Sequence, residues 1–227
     1  SDSSVKGIIF EIDSPGGTAV ASQEIANAVK RLNKTNYALI KDVGASGAYW
    51  VASASDKIIA SPLSITGSIG VIASYLQFGE LFEKYGVNYE RLVSGERKDI
   101  GSPYRELTDE ERRLLQKKIN LIHEYFVRDV AFNRKLDVGY VGNISTGEFY
   151  LGAEALELGL IDVLGDRRTA VEMMKDELGI EDINVVERSY EKRLIDIVLG
   201  RAAYGFGRGF AREISNIKLE NEFEIRT

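Results

Sequence analysis

Ser46 stands in the turn Gly44-Ala45-Ser46-Gly47, after a run that reads as a strand and before a run of small residues that reads as a helix. A hydroxyl held at the head of a helix, between neighbours too small to obstruct a peptide, has the setting of a nucleophile. Two further glycine- and serine-rich turns follow other strand-like runs. In Asp13-Ser14-Pro15-Gly16-Gly17 the paired glycines let the backbone come close to a substrate and aim amide N–H groups at a developing oxyanion, reinforced by the helix that starts after Thr18. In Ile65-Thr66-Gly67-Ser68-Ile69-Gly70-Val71 a hydroxyl is available to orient a base. Each turn also has an ordinary reading, since Gly-Gly turns are common and a serine at a helix start is most often an N-cap.

A serine nucleophile needs a partner to take its proton, and that partner is usually histidine. The chain has 1 His and no Cys. His123 lies within Leu121-Ile122-His123-Glu124-Tyr125, in the middle of a helical pattern and away from any strand-end turn, so its reading is structural, at the edge of an apolar stripe. With no cysteine and one histidine a zinc site is not expected, and no Asp-x-Asp loop suggests calcium or magnesium. No metal or other cofactor is expected. A carboxylate or a lysine remains as the base. Lysine serves only where its surroundings lower its pKa from about 10.4 to nearer 7 or 8, a shift equivalent to ~4 kcal/mol. Lys98, in Ser94-Gly95-Glu96-Arg97-Lys98-Asp99, is by composition one of many lysines in a polar loop, and no spacing rule selects it.

The elements that must position these turns alternate. The β-branched and aromatic run Val5 to Asp13 reads as a buried strand, Thr18 to Leu32 as an amphipathic helix and Tyr37 to Val43 as a second strand, together a βαβ unit. A small-residue helix over Ala48 to Ala54, a strand over Lys57 to Ala60, a helix over Phe78 to Tyr85 and a strand over Tyr89 to Ser94 continue the pattern, which argues for an α/β fold with a largely parallel sheet. A long amphipathic helix follows from about Thr108 to Lys135, opened by the capping box Thr108-Asp109-Glu110-Glu111. Helices near Gly152 to Leu158 and Arg167 to Leu178 and a strand over Ile183 to Glu187 complete a catalytic domain over residues 1–187. From 188 to 227 basic, acidic and aromatic residues alternate, with glycines at 200, 205, 207 and 209. That segment reads as an appended arm, a subunit contact or linker.

At 227 residues and 44% apolar the chain can bury a full core. The net charge of −6 mixes 29 basic with 35 acidic residues without a long basic run, so nucleic acid is set aside as a partner. No run approaches the roughly 20 apolar residues that cross a bilayer, and the polar start at Ser1 lacks the features of a signal peptide.

The motifs taken in order, Asp13-Ser14-Pro15-Gly16-Gly17, then Ala45-Ser46-Gly47, then Thr66 to Val71, then Ser94-Gly95 with Lys98-Asp99, Ser102-Pro103 and Arg105, resemble the signal peptide peptidase A family of the Clp-protease/crotonase-like superfamily. The resemblance runs over nearly the whole chain. It implies that fold, built from repeated β-β-α/βαβ units with flanking helices and a C-terminal helical extension. It implies Ser46 as nucleophile, Lys98 as general base, Ser68 as the hydroxyl positioning the lysine amine, and Gly16, Gly17 and Gly47 at the oxyanion and substrate site. It further implies an endopeptidase acting on remnant signal peptides or similar unfolded apolar segments, assembled as a ring or dome of identical subunits with serine and lysine meeting across a subunit boundary. A soluble catalytic domain on the extracytoplasmic side of a membrane is expected, its anchor and an upstream strand absent from this sequence. One departure is Ala48, where the family often has glycine. Three other readings share the fold: a stomatin-type membrane-protein peptidase, a crotonase-like acyl-CoA enzyme and a catalytically silent oligomeric scaffold.

Overall fold

The computed structural model describes residues 4–188. The chain divides into two compact units, Ser1–Asp182 and Ile183–Thr227. The helical extension or oligomerisation arm expected over 188–227 lies, apart from Arg188, outside the described residues.

The fold is a mixed α/β one, and the long strand β2 (Thr35–Ala45) organises it. Its stretch Tyr37 to Ile40 is wholly buried because both faces of the sheet are covered, as a continuous apolar run requires. Successive side chains alternate between the faces. Ala38 and Ile40, with Ile58 and Ala60 of β3 (Lys57–Ala60), join a core with Ala26 of α1 (Ala19–Lys30), Tyr49 and Trp50 of α2 (Gly47–Ser53) and Phe126 and Val130 of α4 (Asp109–Arg134). Tyr37, Leu39 and Ile59 face the other way and are covered by Ala170 and Met174 of α7 (Arg167–Leu178). On that face the Tyr37 hydroxyl donates to Glu177 Oε2 (2.6 Å), which also accepts from Lys57 Nζ (2.7 Å). Burial first, and then the Glu177 carboxylate, pushes the Tyr37 phenol up to about 12.

The strand β1 (Gly7–Ser14) pairs in parallel along one edge of β2, from Gly7 opposite Thr35 to Ser14 opposite Gly44. The opposite edge is shared in succession. β3 pairs in parallel with Tyr37 to Ile40, and β4 (Ile65–Gly67) pairs in parallel with Val43 to Ala45. The carboxyl ends of β1, β2 and β4 therefore converge, and a register shift between Ile12 and Ser14 turns the end of β1 beside that point. A short strand β5 (Phe149–Leu151) runs antiparallel to β4, and β6 (Val163–Leu164) runs parallel to β3.

The expected α1, α2, β3 and α7 form close to their anticipated bounds, and the helix over Phe78 to Tyr85 forms as α3 (Gly79–Lys84). The capping box at the head of α4 is made in both directions: Glu111 N–H donates to Thr108 Oγ1 (3.2 Å) and Thr108 N–H to the Glu111 carboxylate (2.9 Å). Two expected strands do not form among the described residues. Tyr89 to Ser94 and Ile183 to Glu187 have no ladder partner there, and most of their apolar side chains stay exposed, with Leu92 86% exposed. Alternation marks a half-buried face only where a neighbouring strand supplies hydrogen bonds and cover. The elements that sequence does not reveal are α5 (Val138–Ile144), α6 (Gly152–Glu157) being anticipated, the strand β4, whose residues read only as part of a glycine- and serine-rich turn, and the two short strands β5 and β6. α5 contains Gly139 and Gly142 and is started by the Asp137 side chain, which accepts from Tyr140 N–H (2.9 Å).

Candidate active site

The three turns meet where β1, β2 and β4 end. Ser46 caps α2 with φ 54 and ψ −126, a backbone conformation that a side-chain-bearing residue adopts only under strain. It is pinned on both sides: its N–H donates to Gly67 O (2.8 Å), and its carbonyl accepts from Trp50 N–H (3.0 Å). The hydroxyl is half-buried and has no hydrogen-bond partner among the described residues. The geometry resembles the sharp strand-to-helix turn on which some hydrolases expose a serine.

The Gly16-Gly17 turn lies directly against this serine. A methyl placed on Gly16, whose φ is +110, would stand 2.8 Å from Gly47 N and 2.9 Å from Ser46 Cβ, and one on Gly47 would stand 3.1 Å from Gly17 N and collide with Ser22 Oγ. Only glycine permits that approach of two backbones. Gly16 N–H donates to Ser14 Oγ (3.2 Å). Gly17 N–H and Gly47 N–H have no acceptor among the described residues and lie on either side of the close contact. Two unpaired amides beside a strained serine form a place where an oxyanion can be held.

Ser68, also at positive φ (49), sits one residue beyond β4, and its Oγ–H donates to Gly147 O (3.2 Å). Lys98 has no hydrogen bond to any of these residues. It is exposed on a turn where its N–H donates to Gly95 O (3.0 Å), and its ammonium makes no hydrogen bond or ion pair among the described residues. The structure thus brings Ser46, Gly16, Gly17, Gly47 and Ser68 together, while no hydrogen bond joins Lys98 to them within this chain.

The turn carrying Lys98 belongs to a segment, 75–107, whose hydrogen bonds among the described residues run within itself or to the first turn of α4. Its main anchor is ionic. Arg105 donates to both the Asp99 and the Glu111 carboxylates, and Arg91 donates to Asp99. Arg91 first, and Arg105 with it, hold the Asp99 carboxyl far below the usual carboxylate range. Arg105 first, then the Thr108 N–H, hold Glu111 down at about 2. Both folded values lie below the unfolded ones of about 3.9 and 4.3, so the stabilisation is complete above roughly pH 5 and is lost as pH falls toward 2. Hydrogen exchange of 91–111, corrected for intrinsic rates, is expected to accelerate between pH 4 and pH 2, while that of β2 lags. Equal protection of the segment at pH 5 and pH 2 would show that the carboxylates do not anchor it.

Sequence reasoning assigns no role to two residues under the site. Ser22, buried on α1, donates its Oγ–H to Thr18 O (2.9 Å) and fills the space over Gly47, and Thr66 donates its Oγ1–H to Gly44 O (2.9 Å) beneath the serine turn. Ser22 carries no sequence signal and Thr66 is visible only as part of its motif, because both act by filling space or tying backbone. His123 is half-buried in the middle of α4, and its enclosed Nε2 has no partner among the described residues. No group of three or more metal-ligating side chains occurs among the described residues, and no helix there is long and apolar enough to cross a membrane.

Residues 28–181 match the model of peptidase family S49. The chain belongs to this family. It is 34% identical over 226 residues to a putative protease of Methanocaldococcus jannaschii, an alignment covering 97% of this chain and 72% of that protein. It is 37% identical to a putative signal peptide peptidase of Enterococcus faecium, over 82% of this chain and 55% of the relative. It is 34% identical to a chloroplastic serine protease of Arabidopsis thaliana, over 81% of this chain and 28% of the relative. Several S49 relatives are thus considerably longer than the stretch this chain matches. Family membership and the protease-named relatives support a serine peptidase domain.

Proposed function

We propose that the chain is the catalytic domain of an endopeptidase in which Ser46 is the nucleophile and Lys98 the general base. The observation that carries this reading is the strained Ser46 turn at the head of α2, with the unpaired Gly17 and Gly47 amides beside it. The neutral Lys98 amine takes the Ser46 proton as Oγ attacks the peptide carbonyl carbon. Gly17 and Gly47 N–H hold the oxyanion, while Gly16 provides the close approach that sets them side by side. Lys98 returns the proton to the leaving amine, and water, activated in the same way, releases the acyl group and restores Ser46.

The exposed and unpaired Lys98 fits a base supplied to a neighbouring subunit's Ser46 in a homo-oligomer of the Clp-protease/crotonase-like arrangement. Ser68 fits the positioning role, because its proton is committed to Gly147 O and its lone pairs are free to accept from a lysine N–H. Remnant signal peptides or similar unfolded apolar segments, met at the extracytoplasmic face of a membrane, are the proposed substrates. The name of the Enterococcus faecium relative, a putative signal peptide peptidase, supports the choice of substrate.

The test is hydrolysis of a fluorogenic peptide with an apolar stretch and small residues, together with acid quenching of the enzyme mixed with an activated peptide ester. Hydrolysis, with the trapped acyl group on Ser46 by peptide mapping, is the expected result. An acyl group on another residue, or no hydrolysis by the folded and assembled protein, would refute the reading.

A further inference from the structure

We propose that Arg105, together with Arg91, is a positioning residue for Lys98: the two guanidinium groups saturate the Asp99 carboxylate, so the acid next to the base is unavailable to its ammonium and the turn is tied to α4. The inference rests on the Ser46/Lys98 reading and adds to it.

Asp99 Oδ2 accepts from Arg91 Nε (2.7 Å) and Arg105 Nε (2.9 Å), and Oδ1 accepts from Arg91 Nη2 (2.8 Å) and Arg105 Nη2 (3.0 Å). A carboxylate has about four acceptor sites, and all are taken. Arg105 in turn uses its remaining donors on Glu111, Nη1 to Oε2 (2.8 Å) and Nη2 to Oε1 (2.7 Å), and on Glu106 O (3.0 Å). The two carboxylates are largely shielded, with side-chain exposures of 12% for Asp99 and 8% for Glu111. Two guanidiniums and two carboxylates sum to no net charge. Nearby, Arg97 pairs with Glu110, and the Glu96 carbonyl accepts from Arg91 Nη2 (2.7 Å). Lys98, with an acid next to it in sequence, is left without an ion pair among the described residues.

The consequence is chemical. A carboxylate within reach of a lysine favours its protonated form and so opposes its use as a base at neutral pH. Such a carboxylate is present at position 99 and is withheld by the two arginines. Loss of one arginine frees acceptor sites within a residue of Lys98, and removal of the carboxylate in the same molecule cancels the effect. A role in folding alone produces neither the shift nor its cancellation.

The experiment is the pH–rate profile of peptide hydrolysis for the full chain, its Arg105→Gln variant and the double variant Arg105→Gln/Asp99→Asn. Arg105→Gln is expected to move the midpoint of the rising limb up by about one pH unit, roughly tenfold less activity on the acid side, while the alkaline plateau changes little. The double variant is expected to return the midpoint to that of the unaltered chain. A uniform loss at every pH, unrelieved by Asp99→Asn, would overturn the proposal. Arg91→Gln, which leaves the Arg105–Glu111 pairing intact, covers the case in which Arg105→Gln does not fold; it is expected to shift the midpoint in the same direction, and no shift overturns the proposal. Full activity in Lys98→Ala would instead refute the general-base reading, whereas an inactive Lys98→Ala with unshifted arginine variants would refute this inference alone.

Discussion

Ser46→Ala and Lys98→Ala are each expected to lower peptide hydrolysis by at least about 10³-fold, and Ser46→Gly to be equally inactive yet more stable than the unaltered chain. In the proposed mechanism the activity loss follows from removing the nucleophile or its proton acceptor. Lys98→Arg is expected to be as inactive as Lys98→Ala, since guanidinium keeps the charge but cannot act as a base, and activity in that variant would refute the role of Lys98. The stability gain follows from the backbone. At φ 54 and ψ −126 a residue with a side chain carries strain of roughly 1–3 kcal/mol, which glycine does not feel. Against this stands about 0.5–1 kcal/mol for the greater freedom of glycine in the unfolded chain. The Ser46 hydroxyl has no hydrogen bond among the described residues, and its backbone bonds to Gly67 and Trp50 survive the change, so little else is lost. Ser46→Ala keeps a Cβ and the strain with it. Thermal melts of the two variants separate the effects: Ser46→Gly should melt a few degrees above Ser46→Ala, and coincident melts would show that no strain is stored in the turn.

Much of this site is legible in sequence because its parts are local. A glycine pair after a buried strand, a serine between small residues and a second Gly-Ser turn each announce a tight backbone, and β1, β2 and β4 deliver all three to one point. The same locality explains the strands: Tyr37 to Ile40 reads as strand because both of its faces are covered. Locality also misleads. Tyr89 to Ser94 has strand-like composition, yet no strand among the described residues pairs with it, and nothing within those six residues encodes the missing partner. Lys98 is the complementary case. It is separated from Ser46 in the chain, unpaired among the described residues and surrounded by other charged residues, so neither periodicity nor spacing distinguishes it, and only its place in an ordered set of motifs does. Arg105, Asp99 and Glu111 form their anchor across 6-residue separations that match no regular period within one element, and Ser22 and Thr66 act through shape and backbone.

Phe126→Ala is expected to cost about 3–5 kcal/mol of unfolding free energy, the other large effect in the molecule. Phe126 is 2% exposed, and its ring stacks on that of Trp50 at 4.4 Å and 8°. Trp50 in turn donates Nε1–H to Asp129 Oδ2 (2.9 Å), one turn along α4 from Phe126. Truncation leaves a ring-sized void between α2 and α4 and frees the indole to tilt, and the packed core around Val130 and Ala131 can close only part of the gap. Phe132, six residues further on, is the control. It is 78% exposed, with the Lys30 ammonium 5.5 Å from its ring centre, so Phe132→Ala should cost less than about 1 kcal/mol. Urea denaturation of the two variants distinguishes them, and equal costs would mean that α4 does not bury the face assigned to it. The joint also bears on function, because α2 begins at Ser46 and α4 begins at the Glu111 anchor of the Lys98 turn. A loosened α2–α4 contact disturbs the supports of both groups, so activity in Phe126→Ala should decline on warming before global unfolding sets in, whereas in Phe132→Ala activity and fold should be lost together.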